Sequence, residues 1–97
     1  MIIRFLPEAN QELHEALRWH AQQSPGLDDE FMRCIDEALA KIVRNPRMFP
    51  IAIQKVRKHL VRRFPYIIYY EINNPEIMIL AVFHTKRNPL KWQRRIS

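Results

Sequence analysis

The residues best suited to chemistry lie in the second half of the chain. His84, Lys86 and Arg87 follow an extended apolar run, where a strand would end. We expect them to face a second basic set on an earlier strand, which consists of Arg57, His59, Arg62 and Arg63. Cleavage of RNA by its own 2′-hydroxyl needs a base, an acid for the leaving oxygen and cations around the phosphate. These residue types could supply all three.

The same residues also describe a passive surface for phosphates or carboxylates. Three tyrosines between positions 66 and 70, together with Trp92, could stack on an unpaired base in either case. Residue types alone favour binding over catalysis.

The charge of the chain is divided very unevenly along its length. The net charge is +6. Residues 1–45 carry five basic and eight acidic residues, a net of −3, whereas residues 46–97 carry eleven basic and two acidic residues, a net of +9. Such a field favours a polyanionic partner, either a nucleic acid or an acidic protein segment. A well-solvated basic face is the alternative that charge alone leaves open.

Composition disfavours several classes of site. A phosphate-binding loop needs several glycines, and this chain has one, Gly26. The four histidines have no cysteine pair beside them, so we expect neither a metal site nor another cofactor. Cys34 cannot form an intrachain disulfide and is interpreted as a packing residue of a cytoplasmic protein. No signal peptide and no apolar run of the ~20 residues needed to span a membrane is recognised.

The first 45 residues predict a strand followed by two helices, within one domain covering residues 1–97. A short strand spans residues 2–6, and a helix begins at Pro7. Its apolar stripe includes Leu13 and His20, with Glu12 outside the stripe. A turn containing Gly26 leads into a second helix, which ends near Arg44 because Asn45-Pro46 stops it.

The remaining residues predict three strands. Residues 46–55 are predicted to be a connecting loop. Residues 56–64, 66–72 and 77–83 are predicted to be strands, the last two joined by a hairpin connection at residues 73–76. The tail after Pro89 is predicted to be a short helix or an extended arm. The order β-α-α-β-β-β predicts an α+β fold with an antiparallel sheet, a helical hairpin on one face and the other face open.

Three motifs resemble the RelE/ParE toxin superfamily of bacterial type II toxin–antitoxin systems, and specifically its ParE-like branch. They are FPYIIYY at 64–70, ILAVFH at 79–84, and Arg87-Asn88-Pro89 followed by Trp92. The resemblance covers nearly the whole chain and implies the same β-α-α-β-β-β order. It also implies a cognate antitoxin, whose commonly acidic C-terminal segment wraps the hairpin and sheet. Operator DNA would be contacted only through the antitoxin.

The two branches of this superfamily differ in their targets. RelE-like toxins cut messenger RNA in the ribosome with basic residues of the sheet and a tyrosine near the C-terminus, whereas ParE-like toxins inhibit DNA gyrase. Here Trp92 follows the last strand, and indole has no phenolic O–H to exchange. Just before the second predicted strand, among residues 52–55, Lys55 is the only basic residue. Both departures favour a gyrase inhibitor that does no covalent chemistry. A ribosome-dependent endonuclease and an inactive interaction module are the alternatives.

Eight residues make up the predicted surface for the target or the antitoxin: Arg57, His59, Arg62, Arg63, His84, Lys86, Arg87 and Trp92. If the chain instead cleaves RNA, the predicted catalytic residues are His84, Arg87 and Arg63.

Overall fold

The structure is a computed structural model that describes residues 1–96. Its elements are β1 (Ile2–Phe5), α1 (Pro7–Gln23), α2 (Leu27–Arg44), β2 (Ile51–Ile53), β3 (Val56–Leu60), β4 (Tyr66–Asn73), β5 (Glu76–His84) and α3 (Leu90–Gln93). The five strands form one sheet in the order β1-β5-β4-β3-β2. The predicted α+β class and the order of the main elements are confirmed.

The helices α1 and α2 form the predicted hairpin. Pro7 occupies the first turn of α1, where its missing N–H costs no hydrogen bond. Gly26 precedes α2 with a φ of 83°, a left-handed conformation that glycine adopts without steric cost. Asp28 and Asp29 then lie in the first turn of α2, at the positive end of the helix dipole.

The main hydrophobic core lies between this hairpin and one face of the sheet. Phe31 and Ile35 of α2 and Ile79 of β5 are among its fully buried side chains. His20 belongs to it as predicted, with its ring stacked on that of Phe31 at 4.4 Å between centroids. Cys34 is also buried, in agreement with its predicted packing role.

The sheet differs from the prediction in two respects. It is mixed rather than wholly antiparallel, because β1 pairs with β5 in parallel, with Ile3 opposite Ile77. A parallel pair needs a long connection between its strands, and most of the chain intervenes here. In addition, residues 51–53 form the edge strand β2 inside the segment predicted to be a loop. Three residues between Pro50 and Gln54 are too few for a strand pattern to be recognised.

The strand β3 ends at Leu60, four residues earlier than predicted. Residues 61–65 instead make a turn, in which Arg63 adopts a φ of 72° and the Val61 N–H donates to the Tyr66 carbonyl at 2.9 Å. The hairpin between β4 and β5 lies where it was predicted, and its Asn74–Pro75 peptide bond is cis.

The second face of the sheet is not open as predicted, because α3 covers part of it. Trp92 is only 1% exposed and its ring stacks on that of Tyr69, with 3.9 Å between centroids and 23° between planes. Val56, Leu80, Ala81 and Phe83 complete a second hydrophobic cluster beneath α3. A four-residue helix with one aromatic side chain carries too little periodicity to reveal this packing.

Within residues 1–96, none of the helices is both long enough and apolar enough to cross a membrane.

Candidate partner-binding surfaces

The end of β5 presents His84, Lys86 and Arg87 in a tight turn. The backbone N–H groups of Lys86 and Arg87 donate to the Nδ1 and the carbonyl oxygen of His84, each at 3.1 Å. The Arg87 guanidinium lies 4.3 Å from the centroid of the Phe83 ring, within range of a cation–π contact. The turn therefore fixes the orientation of both His84 and Arg87.

A cleft of about 240 Å³ separates this turn from α1. His84 and Arg87 line one side, Glu12 and Glu15 of α1 line the other, and Trp19 also lines the cleft with its ring largely exposed. Arg87 lies 3.8 Å from a carboxylate oxygen of Glu12. The cleft is thus mixed in charge rather than basic.

Tyr66 belongs to the same cleft, although it was not among the predicted site residues. Its ring lies 5.1 Å from that of His84 in an edge-on arrangement. Burial raises the pKa of the Tyr66 phenol, and the positive charge of Arg87 partly opposes that shift. The phenol consequently stays protonated at neutral pH and can donate a hydrogen bond.

Arg62 and Arg63 lie elsewhere, against α2. Arg62 donates two hydrogen bonds to the carboxylate of Glu37, at 2.9 and 2.8 Å, and Arg63 lies 3.3 Å from a carboxylate oxygen of Glu30. The hydrogen bond from Arg62, helped by Lys41, lowers the pKa of Glu37 to about 2. Both arginines line a charged cleft of about 510 Å³ and are already paired there.

Arg57 and His59 hold the segment that precedes β2. Arg57 donates to the backbone carbonyls of Arg47 and Phe49, at 3.1 and 2.7 Å. His59 packs on the Phe49 ring at 4.1 Å, and burial lowers its pKa, which favours the neutral imidazole. The phenol of Tyr70 donates to the Pro46 carbonyl at 2.6 Å and fixes the same segment.

The structure therefore divides the predicted surface among three places. His84 and Arg87 lie beside α1, and Arg62 and Arg63 lie against α2. Arg57 and His59 contact the segment before β2. The prediction that they face one another around one site is wrong. The cause is the turn at residues 61–65, which directs two arginines toward α2 instead of continuing β3.

Trp92 was also predicted to lie on the contact surface, and this is wrong. Its indole is part of the second hydrophobic cluster, so it contacts Tyr69 rather than solvent. An aromatic residue after the last strand is compatible with an exposed position on the surface and with a buried position in the core. Its sequence context does not distinguish the two.

Glu12 and Arg95 are the residues that sequence reasoning missed. The Glu12 carboxylate accepts hydrogen bonds from Arg95 at 3.0 and 2.8 Å and from the Val82 N–H at 3.1 Å. Arg95 also donates to the Leu80 carbonyl at 2.9 Å. The sequence signal that indicates burial of Glu12 is its spacing, three residues after the buried Ala9 and one before the buried Leu13.

No group of three or more metal-ligating side chains occurs in residues 1–96.

Comparisons with known proteins agree on one family. A family model described as the ParE toxin of the type II toxin–antitoxin system parDE matches residues 3–89. Toxin ParE2 of Mycobacterium tuberculosis is 30% identical over 87 residues, which cover 89% of this chain and 83% of that protein. The same match is found in two strains of that organism.

A solved structure described as the chromosomal ParDE TA system from P. aeruginosa shares the fold. The two structures align with a TM-score of 0.77 and 17% sequence identity. The alignment covers 89% of this chain and 97% of the other.

Proposed function

Since this chain belongs to the ParE toxin family of type II toxin–antitoxin systems, we propose that it acts by binding and inhibiting DNA gyrase, without cleaving RNA. We further propose that an acidic segment of its cognate antitoxin neutralises it. The observation that carries the proposal is the pairing of the catalytic candidates: Arg63 with Glu30 and Arg87 with Glu12. Cations that are already paired are poorly placed to stabilise the negative charge that develops on a phosphate in the transition state.

The mixed cleft beside α1 supports binding to a protein rather than to RNA. His84, Tyr66 and Arg87 could in principle contact a phosphate, but Glu12 and Glu15 line the same cleft. The carboxylate of Glu15, which makes no ion pair within residues 1–96, would repel a phosphate in this cleft. A folded protein partner, in contrast, offers both signs of charge and apolar side chains, and the exposed ring of Trp19 suits such a contact.

The unpaired cations support the choice of an acidic antitoxin segment. Seven basic side chains of residues 46–96 make no ion pair within the part of the chain that the structure describes: Arg47, Lys55, Arg57, Lys58, Lys86, Lys91 and Arg94. An acidic chain would be steered toward them electrostatically. Contact with operator DNA would then occur only through the antitoxin. A gyrase inhibitor would act in the cytoplasm, where gyrase and the chromosome are.

A supercoiling assay with purified gyrase tests the proposed target. We expect the toxin to inhibit supercoiling of relaxed plasmid, and the co-purified antitoxin to restore it at stoichiometric ratio. In cells, induction of the toxin alone should produce chromosomal breaks and an SOS response.

Two other outcomes would replace this proposal. Normal supercoiling together with messenger RNA cut in register with codons in the ribosome would identify an endonuclease. Unimpaired growth and normal supercoiling, with antitoxin binding intact, would identify an inactive interaction module of the same fold.

A further inference from the structure

The cleft between α1 and the end of β5 contains one carboxylate that the fold leaves without a counter-charge. Two acidic side chains line the cleft, Glu12 and Glu15. The charge of Glu12 is compensated, because its carboxylate accepts two hydrogen bonds from Arg95 and lies 3.8 Å from Arg87. Glu15 is exposed and makes no ion pair within residues 1–96. Its negative charge is therefore available to a partner.

The side chains next to Glu15 on α1 orient its carboxylate without neutralising it. The amide of Gln11, which is uncharged, donates a hydrogen bond to Oε1 of Glu15 at 3.0 Å. Arg18 follows three residues later, but it makes no ion pair within residues 1–96 and is not among the residues that line the cleft.

Trp19 adds an aromatic ring to the same side of the cleft. Side chains four residues apart on a helix are neighbours on one face, and both Glu15 and Trp19 line the cleft. The side chain of Trp19 is 54% exposed, although tryptophan is highly buried on average. Its ring contacts the buried His20 ring edge-on, with 4.9 Å between centroids and 85° between planes. This contact fixes the orientation of the exposed indole.

An exposed indole beside an uncompensated carboxylate is suited to a cation. The face of an indole ring attracts a positive charge more strongly than the face of any other aromatic side chain. The carboxylate of Glu15 attracts the same charge. A guanidinium fits this pair better than an ammonium, because it is planar, stacks on aromatic rings and is weakly hydrated.

The size and the floor of the cleft match one long basic side chain. Its volume is about 240 Å³, and Ala16 and Val82 line it between the polar groups. Arginine and lysine bury their methylene stems along apolar surface and keep the charged end in a polar environment. We call the part of the cleft formed by Glu15, Ala16, Trp19 and Val82 the cation pocket.

Charge distinguishes which of the two proposed protein partners uses the cation pocket. An acidic antitoxin segment would bring further carboxylates toward Glu15 and would be repelled there. A basic side chain on the surface of the inhibited target would be attracted. The basic side chains that make no ion pair remain available to the antitoxin on other parts of the surface.

We propose that the cation pocket is a contact of this toxin with its target, and that it holds one surface arginine or lysine side chain of that protein between Glu15 and Trp19. The inference rests on the proposed function, which it deepens by assigning a contact site for gyrase and the chemistry of the group that this site binds.

Inhibition of purified gyrase by variants of Glu15 tests the charge of the pocket. Glu15→Gln keeps the size of the side chain and should raise the concentration of toxin needed for half-inhibition of supercoiling about threefold or more. Glu15→Lys should raise it about tenfold or more, because it places a cation against a cation. Asp36→Lys makes the same change of charge at an exposed position of α2 and should stay within about twofold of the wild type.

Variants of Trp19 test the aromatic part of the pocket. Trp19→Ala should weaken inhibition about tenfold, and Trp19→Phe should recover part of this loss, because it keeps an aromatic face. If Glu15 and Trp19 hold the same cation, Glu15→Gln should have a smaller effect in the Trp19→Ala background than in the wild type. All variants should keep the Kd of the antitoxin complex within about twofold of the wild type, which also shows that they are folded.

The outcomes separate this inference from the proposed function. If the wild type inhibits gyrase and both Glu15→Lys and Trp19→Ala inhibit it equally well, the inference is wrong and the proposed target stands. An equal loss of inhibition in Asp36→Lys would assign the effect to overall charge and overturn the pocket. Variants that lose antitoxin affinity but still inhibit gyrase would assign the pocket to the antitoxin, against the inference. A wild type that does not inhibit gyrase would overturn both.

Discussion

The carboxylate of Glu12, on α1, accepts hydrogen bonds from both terminal nitrogens of the Arg95 guanidinium. Arg95 follows α3 in the sequence. Glu12 is 8% exposed, and the same carboxylate also accepts the N–H of Val82 in β5. β1 does not pair with β5 beyond Ile79, because its last residue pair is Phe5 with Ile79. Glu12 and Arg95 therefore satisfy backbone groups of β5 that a strand would otherwise pair, and they fix the C-terminal segment.

Replacing Glu12 by Gln should lower the free energy of unfolding by about 3 kcal/mol. The change leaves the Arg95 guanidinium partly buried without a counter-charge, and loss of one partner from a buried pair typically costs this much. Urea unfolding at constant m value measures it.

The control for this change is Glu15→Gln, an exposed position on the same helix that should change stability by less than about 0.5 kcal/mol. Equal effects of the two substitutions would show that the Glu12–Arg95 pair does not anchor the tail.

Trp92→Ala should destabilise the fold by about 3–5 kcal/mol, whereas Trp19→Ala should cost about 1 kcal/mol or less. Trp92 is buried against Tyr69, and truncating a buried aromatic side chain leaves a cavity. Trp19 is mostly exposed. Thermal and urea unfolding measure both effects. If Trp92→Ala kept the stability of the wild type but bound its partner less tightly, Trp92 would belong to the contact surface after all.

The elements with long periodic patterns were predictable from the sequence. The stripe of α2 and the β-branched and aromatic runs of β4 and β5 each repeat often enough to define a helix or a strand. The Asn45-Pro46 stop and the turn at Gly26 fixed the helix ends. These features determine most of the fold, which is why the α+β class is confirmed.

The candidate site was less predictable, because it depends on contacts between residues distant in the chain. The alternation of Val56–Phe64 predicted Arg63 on a strand, yet Arg63 adopts a left-handed φ in a turn and pairs with Glu30. From the sequence, Glu12 lies outside the predicted apolar stripe of α1, as a solvated acidic residue would. In the structure its carboxylate binds Arg95, which lies 83 positions later in the chain. The spacing of Glu12 from Ala9 and Leu13 indicates that its side chain is buried, but it does not indicate which residue the carboxylate binds.

Stability should fall on acidification between about pH 4.5 and pH 2, partly because of Glu37. Its folded pKa is about 2, below the ordinary 4.5, because Arg62 hydrogen-bonds its carboxylate. The unfolded chain therefore takes up this proton at a higher pH than the folded chain does. The contribution is complete above about pH 4.5 and is lost as the pH falls toward 2.

Glu37→Gln cannot titrate, so it should lose less stability than the wild type across that window. Urea midpoints at pH 6, 4.5, 3.5 and 2.5 measure the difference, and Asp36→Asn, at an exposed neighbouring position, is the control. Parallel pH profiles for the wild type and Glu37→Gln would contradict the assignment of this pKa shift to the Arg62 pair.

Antitoxin binding should weaken as salt rises from 50 to 500 mM, because the unpaired cations lie at the surface and added salt screens them. Lys58→Ala should weaken binding by up to about fivefold at low salt and reduce this salt dependence. Arg62→Ala should change the salt dependence less, because the positive charge of Arg62 is already compensated by Glu37. Isothermal titration at several salt concentrations measures all three proteins. Equal salt slopes for the wild type and Lys58→Ala, with a reduced slope for Arg62→Ala, would show that the antitoxin displaces Glu37 and uses the paired arginines instead.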